Sequence, residues 1–164
     1  MHLPTLLFFS YAEGMKKQDI LPIDHELVAA AAEAVKKPVL QLSGDKAPAL
    51  VGAALRLEGG KIITAVNLIA DVGSLSVCAE PIAIAEAIKY SDKKIEAIVA
   101  VYHEAGKEPR VISPCGRCRE AIADYALGSF VILREPSTSV LFKVKAPELL
   151  PLRYAEYWHD GHLI

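Results

Sequence analysis

Three cysteines carry the chemistry this sequence can do, because each sits where a thiolate is stabilised and their spacing can gather them on one ion. Cys78 lies in Cys78-Ala79-Glu80-Pro81, and Cys115 and Cys118 lie in Ser113-Pro114-Cys115-Gly116-Arg117-Cys118. Both segments read as helix starts. The two-residue gap then sets Cys115 and Cys118 at i and i+3, on one face of a first turn. Helix N-termini carry partial positive charge and unsatisfied N–H groups, which lower thiol pKa and favour the thiolates that a metal requires. Three protein ligands leave the fourth tetrahedral position of a zinc ion to water, the arrangement of a catalytic site. Glu80, two residues past Cys78, could approach that water without binding the metal and move protons from water to substrate to leaving group.

Two blander readings compete. A C-x-x-C at a helix start also serves as a redox pair or as half of a structural zinc site. A redox pair leaves Cys78 and Glu80 without a use. A closed zinc site needs a fourth ligand, and His2, His25, His103, His159 and His162 are all remote in sequence from the cysteines, although a fold could bring His103 close. Three cysteines cannot all pair within the chain, so a disulfide framework is excluded.

The elements that must position these residues follow from pattern. Asp24 is a plausible N-cap for a helix over 24–37, with Leu27, Val28, Ala31, Ala32 and Val35 at helical spacing and Pro38 as its stop. Runs at 49–57 and 62–68, joined by Glu58-Gly59-Gly60, read as an antiparallel hairpin. A Gly/Ser-containing loop leads to a helix at 81–89 with Pro in its first turn, and 95–102 reads as a strand buried on both faces. Ser113-Pro114 reads as N-cap and first turn of a helix to about Leu127, followed by strands at 130–133 and 140–144 and a short helix at 147–150. Residues 1–22 read as an N-terminal arm and 151–164 as an aromatic tail of one 1–164 domain. The expected fold is three-layer α/β/α, with helices on both faces of a mixed five-stranded sheet.

Composition limits the partners. At 164 residues, 52% hydrophobic and 23% charged, the chain is no disordered tract. Eighteen Lys plus Arg against twenty Asp plus Glu give a net charge of −2, with pI about 6.2, which disfavours nucleic-acid binding. No apolar run approaches a membrane span and no leader is apparent, so a cytoplasmic location with reduced thiols is expected. A mean hydropathy of +0.29 is high for a soluble chain this short and suggests apolar surface shared between subunits.

Cys78-Ala79-Glu80, a 33-residue interval, then Pro114-Cys115-x-x-Cys118 with Ile122 beyond it, resembles the signature of the cytidine and nucleobase deaminase superfamily in its three-cysteine form. Val51-Gly52-Ala53-Ala54-Leu55, Gly59-Gly60-Lys61 and Val66-Asn67 resemble the branch of cytidine deaminases and blasticidin S deaminase. The resemblance implies a hydrolytic deaminase of a small amino-substituted heterocycle, a pyrimidine-like base or nucleoside, with Zn²⁺ on Cys78, Cys115 and Cys118. Glu80 would be its proton carrier. It implies further that the Ser113 carbonyl and Ala79 N–H meet the amino group and ring edge, and that Asn67, thirteen residues before Glu80, meets a ribose. Relatives assemble as dimers or tetramers, so a homo-oligomer is expected. A blasticidin-S-type aminoacylnucleoside deaminase and a zinc-bound scaffold without activity are the alternatives.

Two positions depart from the pattern. Ile69 stands where cytidine deaminases carry a Glu that accepts a bond from the ribose hydroxyl, and an Ile cannot accept it. Pro81 stands where three-cysteine cytidine deaminases have an Arg that offsets the thiolate charge; Arg117 and Arg119 are candidates to replace it, Arg117 first. The tail holds the only Trp, and by the resemblance Tyr157 or Trp158 could cover a substrate ring.

Overall fold

The computed structural model describes residues 14–40, 46–90 and 92–157. Helix α1 (Pro22–Lys36) is followed by a small antiparallel pair, β1 (Pro38–Leu40) and β2 (Lys46–Pro48). The hairpin is β3 (Val51–Leu57) and β4 (Ile62–Val66), turning through Gly59 and Gly60, both at φ +88°, a conformation that glycine adopts without strain. Then come α2 (Ala79–Ala87), β5 (Ile95–Tyr102), β6 (Arg110–Ile112), α3 (Gly116–Tyr125), β7 (Phe130–Arg134) and β8 (Leu141–Lys145), with a 3₁₀ turn at Ala146–Leu149.

The main path of the sheet runs β4-β3-β5-β7-β8, with only β5 and β7 parallel. These are the five strands expected; β6 is a sixth, pairing the C-terminal half of β5 through Ala100↔Ile112. Alternation along the strands divides the core. Leu55, Ile98 and Val131 point to one face, beneath Ala83 and Ala87 of α2 and Ile122 of α3. Ala54, Val99 and Ile132 point to the other, beneath Leu27, Ala31 and Val35 of α1. The three-layer arrangement is as expected. Gly52 allows the close approach of α1: a Cβ there would lie 2.6 Å from the Ala31 carbonyl oxygen and 2.9 Å from Val35 Cβ.

Three helix starts differ from the sequence reading, that of α2 by lying at Ala79, two residues before 81. α1 begins two residues earlier, because Pro22 is pre-set for a first helical residue. Leu21 is therefore the cap residue, and Asp24 accepts a bond from the Leu21 N–H at 2.9 Å from inside the first turn. α3 is capped by Cys115, not Ser113.

Asp24 is fully buried and does more than close a helix end. Its carboxylate accepts from Lys143 Nζ at 2.6 Å and from Arg56 Nη2 at 3.2 Å, tying α1 to β8 and β3. Burial alone would raise its pKa, but the Lys143 ammonium, the Leu21 N–H and Arg56 outweigh it and hold the group below 3.8. Asp24→Asn strands two buried cations and should destabilise the fold by about 3–5 kcal/mol in urea unfolding at pH 7. A carboxyl depressed in the folded state contributes stability that is present above its unfolded value and lost as pH falls through the folded one. The gap between wild type and Asp24→Asn should therefore narrow below pH 3.8.

Candidate active site

The two helix starts that carry the cysteines lie side by side. α2 and α3 cover the same face of the sheet, and their packing brings Cys78, the cap residue of α2, against Cys115 and Cys118 in the first turn of α3. Cys115 Sγ stands 3.4 Å from Cys118 Sγ and 3.8 Å from Cys78 Sγ, and all three sulfurs lie within 4.8 Å of one another. Sulfurs bound tetrahedrally at about 2.3 Å from a zinc ion stand about 3.8 Å apart. The cluster therefore fits zinc in donor type, number and spacing. Among the described residues no histidine joins it, so His103 does not close the site.

The thiols have unequal surroundings. Burial, with the neighbouring Glu80 carboxylate, pushes Cys118 far up; burial also leads the rise at Cys78. At Cys115 burial is outweighed by the Cys118 N–H and the thiols of Cys118 and Cys78, and the pKa falls. Cys115 is thus the readiest thiolate, and the other two need a cation to ionise. Neither arginine donates to a sulfur. Arg119 spends its donors on the carbonyls of Pro114 and Leu149 and on Ser113 Oγ. Arg117 is exposed and reaches the Ser76 carbonyl at 3.4 Å, bracing the loop that leads into Cys78. The fixed positive ends facing the cluster are those of α2 and α3.

A pocket of about 300 Å³ opens beside the cluster, at the end of the sheet where β3 begins and β6 ends. Glu80, only 3% exposed, lines it together with Cys78, Cys115, Asn67, Ile69 and Ser113. Ala79 is buried behind it at the first position of α2. Val51, Val77 and Ile112 complete apolar walls that the sequence reading did not assign; their signal was position, each lying within two residues of a site residue or at a strand end facing it. Asn67 Oδ1 accepts from the Val51 N–H at 2.8 Å, which caps the hairpin and leaves its NH₂ as the end that can donate to a ligand. Tyr157 ends a 3₁₀ turn, Tyr154–Tyr157, but its ring and all of Trp158 lie outside the described residues.

Residues 23–134 match the family described as the cytidine and deoxycytidylate deaminase zinc-binding region. The chain belongs to that family. Blasticidin-S deaminase of Bacillus cereus is 42% identical over 144 residues, covering 85% of this chain and 98% of the relative. A probable cytidine deaminase of Dictyostelium discoideum is 35% identical over 62% of this chain and 65% of its own length. Among solved structures, the cytidine deaminase of Bacillus anthracis superposes with a TM-score of 0.65 at 26% identity, covering 84% of this chain and 94% of that one. The protein is thus a zinc-dependent deaminase of this family, a hydrolase of C–N bonds, on a cytidine-deaminase-like fold.

Asn67 gives this deaminase a separable prediction. Asn67→Ala leaves the Val51 amide without an acceptor and should cost about 1–3 kcal/mol in thermal or urea unfolding. Asn67→Asp keeps the acceptor and should restore most of that stability.

Proposed function

We propose that Cys78, Cys115 and Cys118 hold the zinc ion and that Glu80 is the proton carrier for hydrolysis of the exocyclic amine of a pyrimidine-like ring. The observation that carries this reading is the placement of Glu80: buried, beside the sulfur cluster, yet on the wall of the pocket. Zinc, when bound, supplies a Lewis acid that makes water nucleophilic at neutral pH. Glu80 takes a proton from the attacking water and passes it to the ring nitrogen beside the reacting carbon. It then takes the second proton from the added oxygen and delivers it to the amine. The C–NH₂ bond breaks, ammonia leaves and a ring carbonyl remains. The Ala79 N–H and the Ser113 carbonyl hold the ring edge, and the Asn67 NH₂ donates to the ring's substituent. Arg117, bonded to the Ser76 carbonyl in the loop that leads into Cys78, adds a positive charge near the thiolates, where Pro81 replaces an arginine, without bonding a sulfur.

The B. cereus relative favours a second reading, an aminoacylnucleoside of the blasticidin S type as substrate, because its similarity spans nearly the whole of both chains. Ile69 on the pocket wall supports it, since a ribose hydroxyl finds no acceptor there. In this reading residues 1–164 act as one deaminase unit that assembles as a homo-oligomer, dimer or tetramer. Its thiols suit a reducing compartment such as the cytoplasm. No helix among the described residues is long and apolar enough to cross a membrane.

Ammonia release from cytosine, cytidine and blasticidin S by the zinc-loaded protein tests the substrate, and turnover of none of them would contradict the reading. Ile69→Glu should raise kcat/KM for cytidine about 10–100-fold and not that for cytosine. Alanine at Cys78, Cys115 or Cys118 should bring zinc content from about one ion per chain to background. Because ligand thiols must lose protons, zinc affinity should rise with pH through the neutral range.

A further inference from the structure

At the end of the sheet opposite the sulfurs, where β3 and β8 finish and β5 and β7 begin, a second cleft of about 710 Å³ opens. No residue of the catalytic pocket lines it. Its floor is charged: the side chains of Arg56 and Lys143, 9% and 8% exposed, both face it. These two cations share one buried carboxylate, Asp24; among the described residues the other anion on them is the half-exposed Glu96, 3.2 Å from Arg56 Nε. Above the floor, Lys145 Nζ stands 3.6 Å and Lys143 Nζ 5.1 Å from the centre of the Phe130 ring. Among the described residues Lys145 donates to a backbone carbonyl, that of Gly128 at 2.9 Å, and to no carboxylate.

Across the whole cleft, Arg56, Lys93, Lys94, Lys143 and Lys145 face Glu58 and Glu96, with Asp24 beneath the floor on Arg56 and Lys143 and Asp92 beside Lys93 at 3.5 Å. Five cations against four anions leave one positive charge in excess in a chain whose net charge is −2, and attraction for an anion is strengthened over the low-dielectric floor. Tyr125, 61% exposed, adds a free aromatic ring to the wall.

We propose that this cleft is a second ligand site, binding a small phosphorylated molecule that carries a planar ring. Lys94 and Lys145 take the phosphate over the field of Arg56 and Lys143, and Tyr125 stacks on the ring. Calorimetric titration of the zinc-loaded full chain with ribose 5-phosphate and with adenosine 5′-monophosphate tests both halves. The purine ester should bind about threefold tighter or better, and Tyr125→Ala should remove that advantage. Lys94→Ala/Lys145→Ala, at the rim and outside the Asp24 cluster, should weaken both ligands about tenfold or more while deamination is unchanged. Absence of binding by both esters, or affinities unmoved in the double variant, would overturn the site. Equal affinity of the two esters would overturn the ring's part in it.

Discussion

Everything at the active end of this protein depends on one electrostatic constraint: three sulfurs must lie within one ion's reach beside a buried carboxylate that opposes their ionisation. No single helix end satisfies it. The fold meets the constraint by setting two helices on one face of the sheet with their N-termini together, so that both dipoles face the cluster. Small residues make that packing close. Ala83 and Ala87 of α2 and Ala126 after α3 are all buried against the same strands. Even so, burial and Glu80 keep Cys78 and Cys118 from ionising readily, and the cation itself completes the balance.

The sheet keeps two charged regions apart. At one end, β3 and β6 lead into the pocket through Val51 and Ile112. At the other, Arg56 and Lys143 rise from β3 and β8 onto Asp24. Breaking that ion cluster would release α1 from the face opposite the zinc helices and leave charge in the core.

The chemistry was legible in the sequence because its information is local. Cysteine spacing, the helix-start context and Glu80 two residues after Cys78 need no tertiary knowledge. What stayed hidden is long-range. Asp24 reads as a helix cap, while its partners Arg56 and Lys143 lie 32 and 119 residues away, Arg56 as the one charge of β3 and Lys143 as one of two in β8. β6 is three residues long, too short for alternation to show, and exists because β5 offers it an edge. Asn67 is both a strand-end cap and a pocket wall, and only coordinates show that one end of its amide is already engaged.

We propose that the buried Glu80 carboxylate moves the protons of a zinc-dependent hydrolysis. Ammonia release by Glu80→Gln, measured beside its zinc content and melting temperature, tests it most directly. Full zinc, an unchanged fold and turnover lower by about 10²–10⁴-fold are expected. Turnover near that of the wild type, with zinc still in place, would contradict it.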